Sequence, residues 1–143
     1  MVVNAAWALY VLGKEKEAKK VFRRLLQHDD HLVREEVLEK IGSLPVEKDA
    51  DLVDILTKAL KDANIFVVET AKRIFRGVWK QRLRHPKPEV REQAVRALGR
   101  LGALEELSEA LNDQDKWVAF VAARALAQAG NLGTTRRPKR AVG

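Results

Sequence analysis

The sequence predicts an all-α fold built from repeated helix pairs, and three observations support this prediction. A leucine precedes a valine by seven residues at 26–33, 60–67, 83–90 and 111–118, each time across a polar stretch. Apolar residues return four and eight residues after each valine, which is the spacing of one helix face. Amphipathic segments precede three of the four leucines. The interval therefore indicates an inter-helix turn in a repeated helix–turn–helix unit.

The helix after each turn, here called the second helix of its pair, is predicted to bury one stripe. Small residues four positions after the valine favour close approach of a neighbouring helix. Nine positions after the valine stands a glycine or alanine, at Gly42, Gly99 and Ala127. This small residue marks where the helix becomes narrower or ends. The stripe comprises Val33, Val37 and Ile41; Val67, Ala71 and Phe75; Val90, Ala94 and Leu98; and Val118, Ala122 and Leu126.

The polar stretches carry helix-starting residues. Asp30, Asn64 and Asp115 stand three residues before their valines, where a side chain accepts hydrogen bonds from free helix N–H groups. In the remaining turn Pro86 and Pro88 restrict the backbone, because proline suits the start of a helix and cannot continue one.

The repeat predicts a lone helix near 3–13, with Asn4, Ala8 and Leu12 on its stripe, followed by four helix pairs. The pairs span about 14–44, 47–77, 78–101 and 103–130. The short interval before the third turn leaves about two helical turns for 78–84. This segment is either a helix of its own or a continuation of the preceding helix, with Gly77 as a bend.

Length and composition are those of one globular domain, predicted at 1–130, with a basic flexible tail at 131–143. The 143 residues are 46% hydrophobic and 33% charged, and no apolar run is long enough for a membrane span. The apolar N-terminal stretch has no basic region before it, so no signal peptide is predicted. Cysteine is absent, which excludes thiolate chemistry and fits a cytoplasmic location.

The sequences beginning at three of the turns' valines, "VREEVLEKIG", "VREQAVRALGRLG" and "VAFVAARALAQAG", resemble HEAT repeats, especially the short phycobilisome-lyase-like type. The resemblance covers roughly 4–130 and is strongest over 83–130. It implies an α-solenoid, a right-handed superhelix of about four antiparallel helix pairs plus an N-terminal half repeat. Its second helices are expected to form a concave face.

The resemblance also implies a ladder in which an arginine after the valine pairs with an aspartate in an adjacent turn. Asp62 and Asp113 match the acid, and Arg34 and Arg91 match the base. The ladder is expected to be incomplete because four equivalent positions depart from the pattern, namely His28, His85, Val68 and Ala119.

No constellation for chemistry emerges, so no enzyme, catalytic residue, cofactor or metal is predicted. His28 and His85 occupy the turn position of the ladder aspartates and are interpreted as polar capping groups. His31 follows two aspartates, but one polar turn is weak evidence for a metal site. A phosphate loop and a nucleophile elbow are both missing. The tryptophans are predicted to pack structurally, at Trp7, Trp79 and Trp117.

The most specific functional signal is a row of arginines. Six residues after the valines stand Glu39, Arg73, Arg96 and Arg124, about 240° around the helix and opposite the buried stripe. With Arg76 and Arg100 nearby, the row predicts a surface for an anionic partner. The alternative is a solvated face, because Glu69–Arg73 and Glu92–Arg96 have the spacing of ordinary surface pairs.

Two classes of function follow. The first is a non-catalytic scaffold that binds a protein partner through its second helices. The alternative is nucleic-acid binding through the basic tail and residues 72–100, which carry ten Lys/Arg against two Glu, a net +8. Nothing supplies residues for a third class, a HEAT-type enzyme or pigment lyase. The apolar helices at both ends of the array further predict self-association or docking against another domain.

Overall fold

A computed structural model describes residues 2–134, with side chains as far as Gly130. These residues form eight α-helices and a short 3-10 helix at Val46–Lys48, and no strand occurs among them. The all-α prediction is therefore confirmed. The helices are α1 (Val2–Val11), α2 (Glu15–Leu25), α3 (His31–Gly42), α4 (Ala50–Ala59), α5 (Ile65–Arg82), α6 (Pro88–Leu101), α7 (Leu104–Ala110) and α8 (Lys116–Thr134).

Helix α5 settles the alternative left open at 78–84. It runs without interruption from Ile65 to Arg82, so the third turn has no separate first helix. Gly77 lacks a side chain but keeps its backbone N–H, and a single glycine lowers helix propensity without breaking the hydrogen-bond ladder. The continuation is thus the correct interpretation of this segment.

Helix α8 is longer than predicted. It continues past Ala127 and ends at Thr134, four residues into the predicted tail 131–143. No proline precedes Pro138 in this stretch, so nothing removes a backbone donor there. The rest of the predicted tail, 135–143, lies outside the described residues.

The described residues divide into two compact units. The first ends at Val78 and the second begins at Trp79. In the first unit the core runs from α1 to the first part of α5, and its largest fully buried side chains include Phe22, Leu38 and Leu52. In the second unit α6 packs against α7 and α8, around the fully buried Val95, Leu98, Leu107 and Val118.

The predicted stripe is buried in both units. The residues four positions after each valine, Val37, Ala71, Ala94 and Ala122, all have 0% exposure. Eight positions after the valine, Ile41, Phe75 and Leu98 are buried and Leu126 is half-buried. By contrast, the residues of the predicted row are all exposed, namely Glu39, Arg73, Arg96 and Arg124. The period and register of the second helices are therefore confirmed.

The register assigned to the N-terminal helix is wrong. Helix α1 buries Val3, Ala6 and Tyr10, whereas Leu12 is 77% exposed. The helix ends at Val11, and Gly13 turns the chain with φ +94°, a conformation that glycine adopts without steric cost. Leu12 therefore lies beyond the helix, where the periodic argument no longer applies.

Two glycines bring second helices close together. A Cβ on Gly42 of α3 would lie 3.1 Å from the side chain of Ile74 on α5, within the first unit. A Cβ on Gly99 of α6 would lie 3.1 Å from that of Ala125 on α8, within the second. Both glycines stand nine residues after their valine, so the same close approach occurs once in each unit.

The turns are capped as the sequence predicts. Asp30, Asn64 and Asp115 each accept a hydrogen bond from the backbone N–H two residues later, at 3.0, 2.8 and 2.9 Å. In the α5–α6 turn, Pro88 is the first residue of α6. These bonds satisfy N–H groups that have no partner within the helix.

Candidate partner-binding surface

Each unit contains one arginine–aspartate pair that joins two turns. Arg34 donates to the Asp62 carboxylate through Nε at 2.9 Å and Nη2 at 3.1 Å, and Arg91 contacts Asp113 at the same two distances. The remaining nitrogen, Nη1, donates to two backbone carbonyls of the turn that precedes the arginine. These belong to His28 and Asp29 for Arg34, and to His85 and Pro86 for Arg91. The arginine thus links consecutive turns of its unit.

The four turns share a second interaction. The side chains of His28, Asp62, His85 and Asp113 each accept a hydrogen bond from the backbone N–H two residues later, at 2.8–3.0 Å. In the histidines the acceptor is Nδ1. The imidazole therefore replaces the carboxylate as a capping group, as the sequence predicts for this turn position.

The pairs perturb the ionisation of their members. Burial alone would raise the pKa of Asp62 and of Asp113, but the guanidinium and the backbone N–H that bond each carboxylate hold the pKa below its ordinary value. The hydrogen bond to Asp113 likewise raises the pKa of Arg91. Both aspartates therefore stay ionised in the folded chain well into the acidic range.

Two of the five arginines of the predicted surface, Arg73 and Arg76, lie in the first unit. Arg73 forms an ion pair with Glu39 of α3, while Glu69 pairs with Lys72 at 3.6 Å. The expected Glu69–Arg73 pair is wrong, because the glutamate on the adjacent second helix lies closer to the guanidinium. Arg76 is exposed on the same helix.

The other three arginines come together in the second unit. Arg96, Arg100 and Arg124 line a groove of about 510 Å³ between α6 and α8, whose floor includes Gly99 and Ala125. Arg96 donates to Glu92 at 2.6 and 3.0 Å, as its spacing predicts. Within the part of the chain that the structure describes, Arg100 and Arg124 form no ion pair. Whether the five arginines form one surface stays a prediction.

The structure corrects the interpretation of Trp117. Its side chain is 51% exposed, and its ring contacts the 50% exposed Phe120 at a centroid distance of 5.4 Å. Trp79 is buried as predicted, and Trp7 is half-buried and donates to the Ser43 hydroxyl at 3.0 Å. Trp117 stands one residue before Val118, about 260° around α8, and therefore outside the buried arc.

The first unit also exposes apolar side chains at this position. Leu32 and Phe66 stand one residue before their valines and are 63% and 62% exposed. Phe66 stacks on His31, with ring centroids 6.1 Å apart. The position before the valine lies about 260° around the helix from it, and this angle alone indicates exposure of Leu32 and Phe66.

Sequence reasoning missed a buried polar cluster in the first unit. Lys19 contacts Asp49 at 2.9 Å and Asp51 at 3.1 Å, and the Tyr10 hydroxyl donates to Asp49 at 2.6 Å. Asp49 also caps α4 through the N–H of Asp51. Burial and the Asp49 bond raise the pKa of Tyr10, so the phenol stays protonated. The partners lie 30 to 40 residues apart, too far for a local pattern to reveal.

No group of three His, Cys, Asp or Glu side chains is placed to hold a metal ion among residues 2–130. Nor is any described helix long and apolar enough to cross a membrane.

Comparison with known proteins identifies the repeat. Residues 78–139 match the family model for HEAT repeats. No curated protein matches the chain. The prediction of the HEAT-repeat family is confirmed, and with the all-helical architecture it confirms the α-solenoid class. Residues 78–139 therefore belong to the HEAT-repeat family, and repeats of this family generally serve as non-enzymatic scaffolds for protein interaction.

Proposed function

We propose that the chain is a non-catalytic scaffold that binds a protein partner through the exposed face of its second helices, the face expected to be concave. The observation that carries this proposal is the groove between α6 and α8, lined by Arg96, Arg100 and Arg124. Guanidinium groups exposed in such a groove are suited to carboxylates of a partner, and Arg100 and Arg124 form no ion pair with a described residue. We further propose that the chain acts in the cytoplasm.

Site-specific crosslinking tests this proposal. A photoreactive residue at Gln128, which lines the groove, is expected to capture a discrete protein partner in extracts. The same photoreactive residue at Ser108 serves as the matched control and is expected to capture no partner. Ser108 is exposed on α7, which is the first helix of its pair. Equal capture from both positions, or from neither, would contradict binding through the second helices.

Nucleic-acid binding is the alternative, supported by exposed cations along residues 72–100, including Lys72, Arg76, Lys80, Arg84 and Lys87. It predicts that affinity for duplex DNA or RNA falls steeply with salt, because bound phosphates release counterions. Arg73, Arg96 and Arg124 are changed together to glutamine as the matched variant. Lack of binding at low salt, or binding unaffected by the variant, would exclude the arginines as a nucleic-acid surface.

A further inference from the structure

The exposed side of the second unit combines two chemistries on one surface. On α8, Phe120, Arg124 and Trp117 lie at about 200°, 240° and 260° from Val118, so all three face away from the buried stripe. On α6, Glu92, Arg96 and Arg100 lie at about 200°, 240° and 280° from Val90. Aromatic side chains and guanidinium groups therefore share the exposed face of both helices.

Glu92 connects the aromatic and the basic parts of this surface. Its carboxylate accepts hydrogen bonds from Arg96, and the Arg96 guanidinium together with the nearby Trp117 side chain lowers its pKa. Trp117 thus lies near the carboxylate that binds the first arginine of the groove. Seven residues of helix separate Trp117 from Arg124, a distance of about 10 Å.

Among the residues that the structure describes, no carboxylate neutralises the full charge of the groove. Three arginines against the single carboxylate of Glu92 leave a net +2. Arg100 and Arg124 form no ion pair with any described residue, and α6 and α8 are held together by the close contact of Gly99 and Ala125. The guanidinium groups are therefore presented above a closely packed helix pair and are free to bind carboxylates of a partner.

We propose that this surface binds an acidic peptide segment of a partner protein, with an apolar side chain against Trp117 and Phe120 and carboxylates in the arginine groove about 10 Å away. The inference rests on the proposed scaffold function and adds the chemistry of the ligand. The exposed aromatic pair supplies an anchor of the kind that dominates protein interfaces. The arginines accept carboxylates by paired hydrogen bonds and fix the direction of the peptide.

The arrangement suits a peptide better than a nucleic acid. Nucleic-acid strands are bound by successive separate ring faces on which bases stack, together with a track of cations along the backbone. Here the two rings contact each other at 5.4 Å and form one apolar surface, and three cations converge in one groove.

Selection from a random-peptide display library on the full chain tests the proposal. Enriched peptides are expected to carry an apolar residue near a run of Asp or Glu. Binding of one enriched peptide is then measured by fluorescence anisotropy. Replacing Arg100 and Arg124 by glutamine is expected to raise Kd at least about tenfold, and so is Trp117→Ala, because each removes one part of the recognition.

The control variant carries the same change in charge outside the groove. Arg84 and Lys87 are exposed in the α5–α6 turn, and changing both to glutamine is expected to alter Kd by less than about twofold. Far-UV circular dichroism of each variant verifies folding. The Arg100→Gln, Arg124→Gln variant keeps the test valid if Trp117→Ala unfolds, because neither arginine forms an ion pair with a described residue.

Several results would overturn the proposal. The first is enrichment of peptides without acidic residues, and the second is an equal loss of peptide affinity in the groove variant and the control variant. The third is that no peptide binds, whereas a labelled single-stranded DNA binds and its binding depends on Arg100 and Arg124. A dimer in sedimentation velocity that Trp117→Ala dissociates would assign the aromatic pair to a second copy instead. If the crosslinked partner at Gln128 persists unchanged in the Arg100→Gln, Arg124→Gln variant, the groove proposal fails while the scaffold proposal stands.

Discussion

Arg91 and Asp113 form a nearly solvent-free pair, with both side chains 9% exposed, whereas Arg73 and Glu39 form one at the surface, with exposures of 61% and 53%. A buried carboxylate that loses its partner keeps the cost of desolvation, while an exposed one is solvated by water. The two arginines therefore have different consequences for stability, although both bond a carboxylate on a neighbouring repeat.

Arg91→Met is expected to lower the free energy of unfolding by about 3 kcal/mol, because Asp113 then remains buried without its cation. Arg73→Gln is the matched control and should change it by less than about 0.5 kcal/mol. Urea unfolding followed by far-UV circular dichroism measures both values. Similar losses in the two variants would contradict the role of burial.

The same aspartates predict a dependence of stability on pH. The pKa of Asp62 and of Asp113 is lower in the folded chain than in the unfolded chain, so the unfolded chain binds protons first. The stabilisation is complete above the unfolded value of about 3.9 and is lost as the pH falls through the folded value.

Asp113→Asn is therefore expected to be less stable than the parent at neutral pH and to lose less stability between about pH 5 and pH 2. Asp54→Asn, which affects an exposed pair with Lys58, serves as the control and should keep the parental slope. The urea midpoint measured across this range tests the prediction. An unchanged slope in Asp113→Asn would show that the carboxylate is not what titrates.

At the scale of elements, the close packing of second helices depends on the glycine at position 99 and does not depend on the glycine at position 77. Gly99 of α6 lies against Ala125, whereas a Cβ on Gly77 of α5 would have no atom within 4 Å. A Cβ at the first position requires α6 or α8 to shift by a few tenths of an ångström, and a larger side chain requires more. A Cβ at the second position meets no neighbour and only restricts the backbone of the unfolded chain.

Gly99→Val is accordingly expected to destabilise the protein by about 1–3 kcal/mol through overpacking. Gly77→Ala should stabilise it by about 0.5–1 kcal/mol, because alanine has the higher helix propensity. Thermal and urea unfolding distinguish the opposite signs. A stabilising Gly99→Val would mean that α6 and α8 separate at little cost.

For the whole molecule, repeat proteins are stabilised by interactions within and between neighbouring repeats, so damage stays local. Each arginine–aspartate pair lies inside one compact unit, Arg34 in the first and Arg91 in the second. Hydrogen exchange measured by mass spectrometry is expected to show faster exchange in residues 2–78 for Arg34→Met and in residues 79–134 for Arg91→Met. Each variant is the control for the other, and uniform loss of protection in both would indicate one cooperative block.

How much of the structure the sequence predicts also depends on scale. The seven-residue interval predicted the turns, the caps and the buried arc of every second helix, because these depend on neighbours within one helical turn or two. The interval could not predict the course of α5 past Gly77, since glycine weakens a helix without ending it. It also missed the cluster of Tyr10, Lys19 and Asp49, whose members meet only after the chain folds.

The candidate site was predicted in part. Periodicity placed Arg96, Arg100 and Arg124 on exposed faces, and the packing of α6 on α8 brought them into one groove. Periodicity fixes a position within a repeat and does not fix the distance between repeats, so the relation of Arg73 and Arg76 to the groove was not determined by it. Residue type alone wrongly predicts a core position for Trp117, whereas its angle of about 260° from Val118 places it outside the buried arc of α8.

The absence of internal partners for Arg100 and Arg124 within the described chain has a consequence for how such a protein diversifies. Residues that hold nothing together can be exchanged without endangering the fold beneath them. A descendant or an engineered relative can therefore acquire a new binding preference at these two positions while the helices stay as they are.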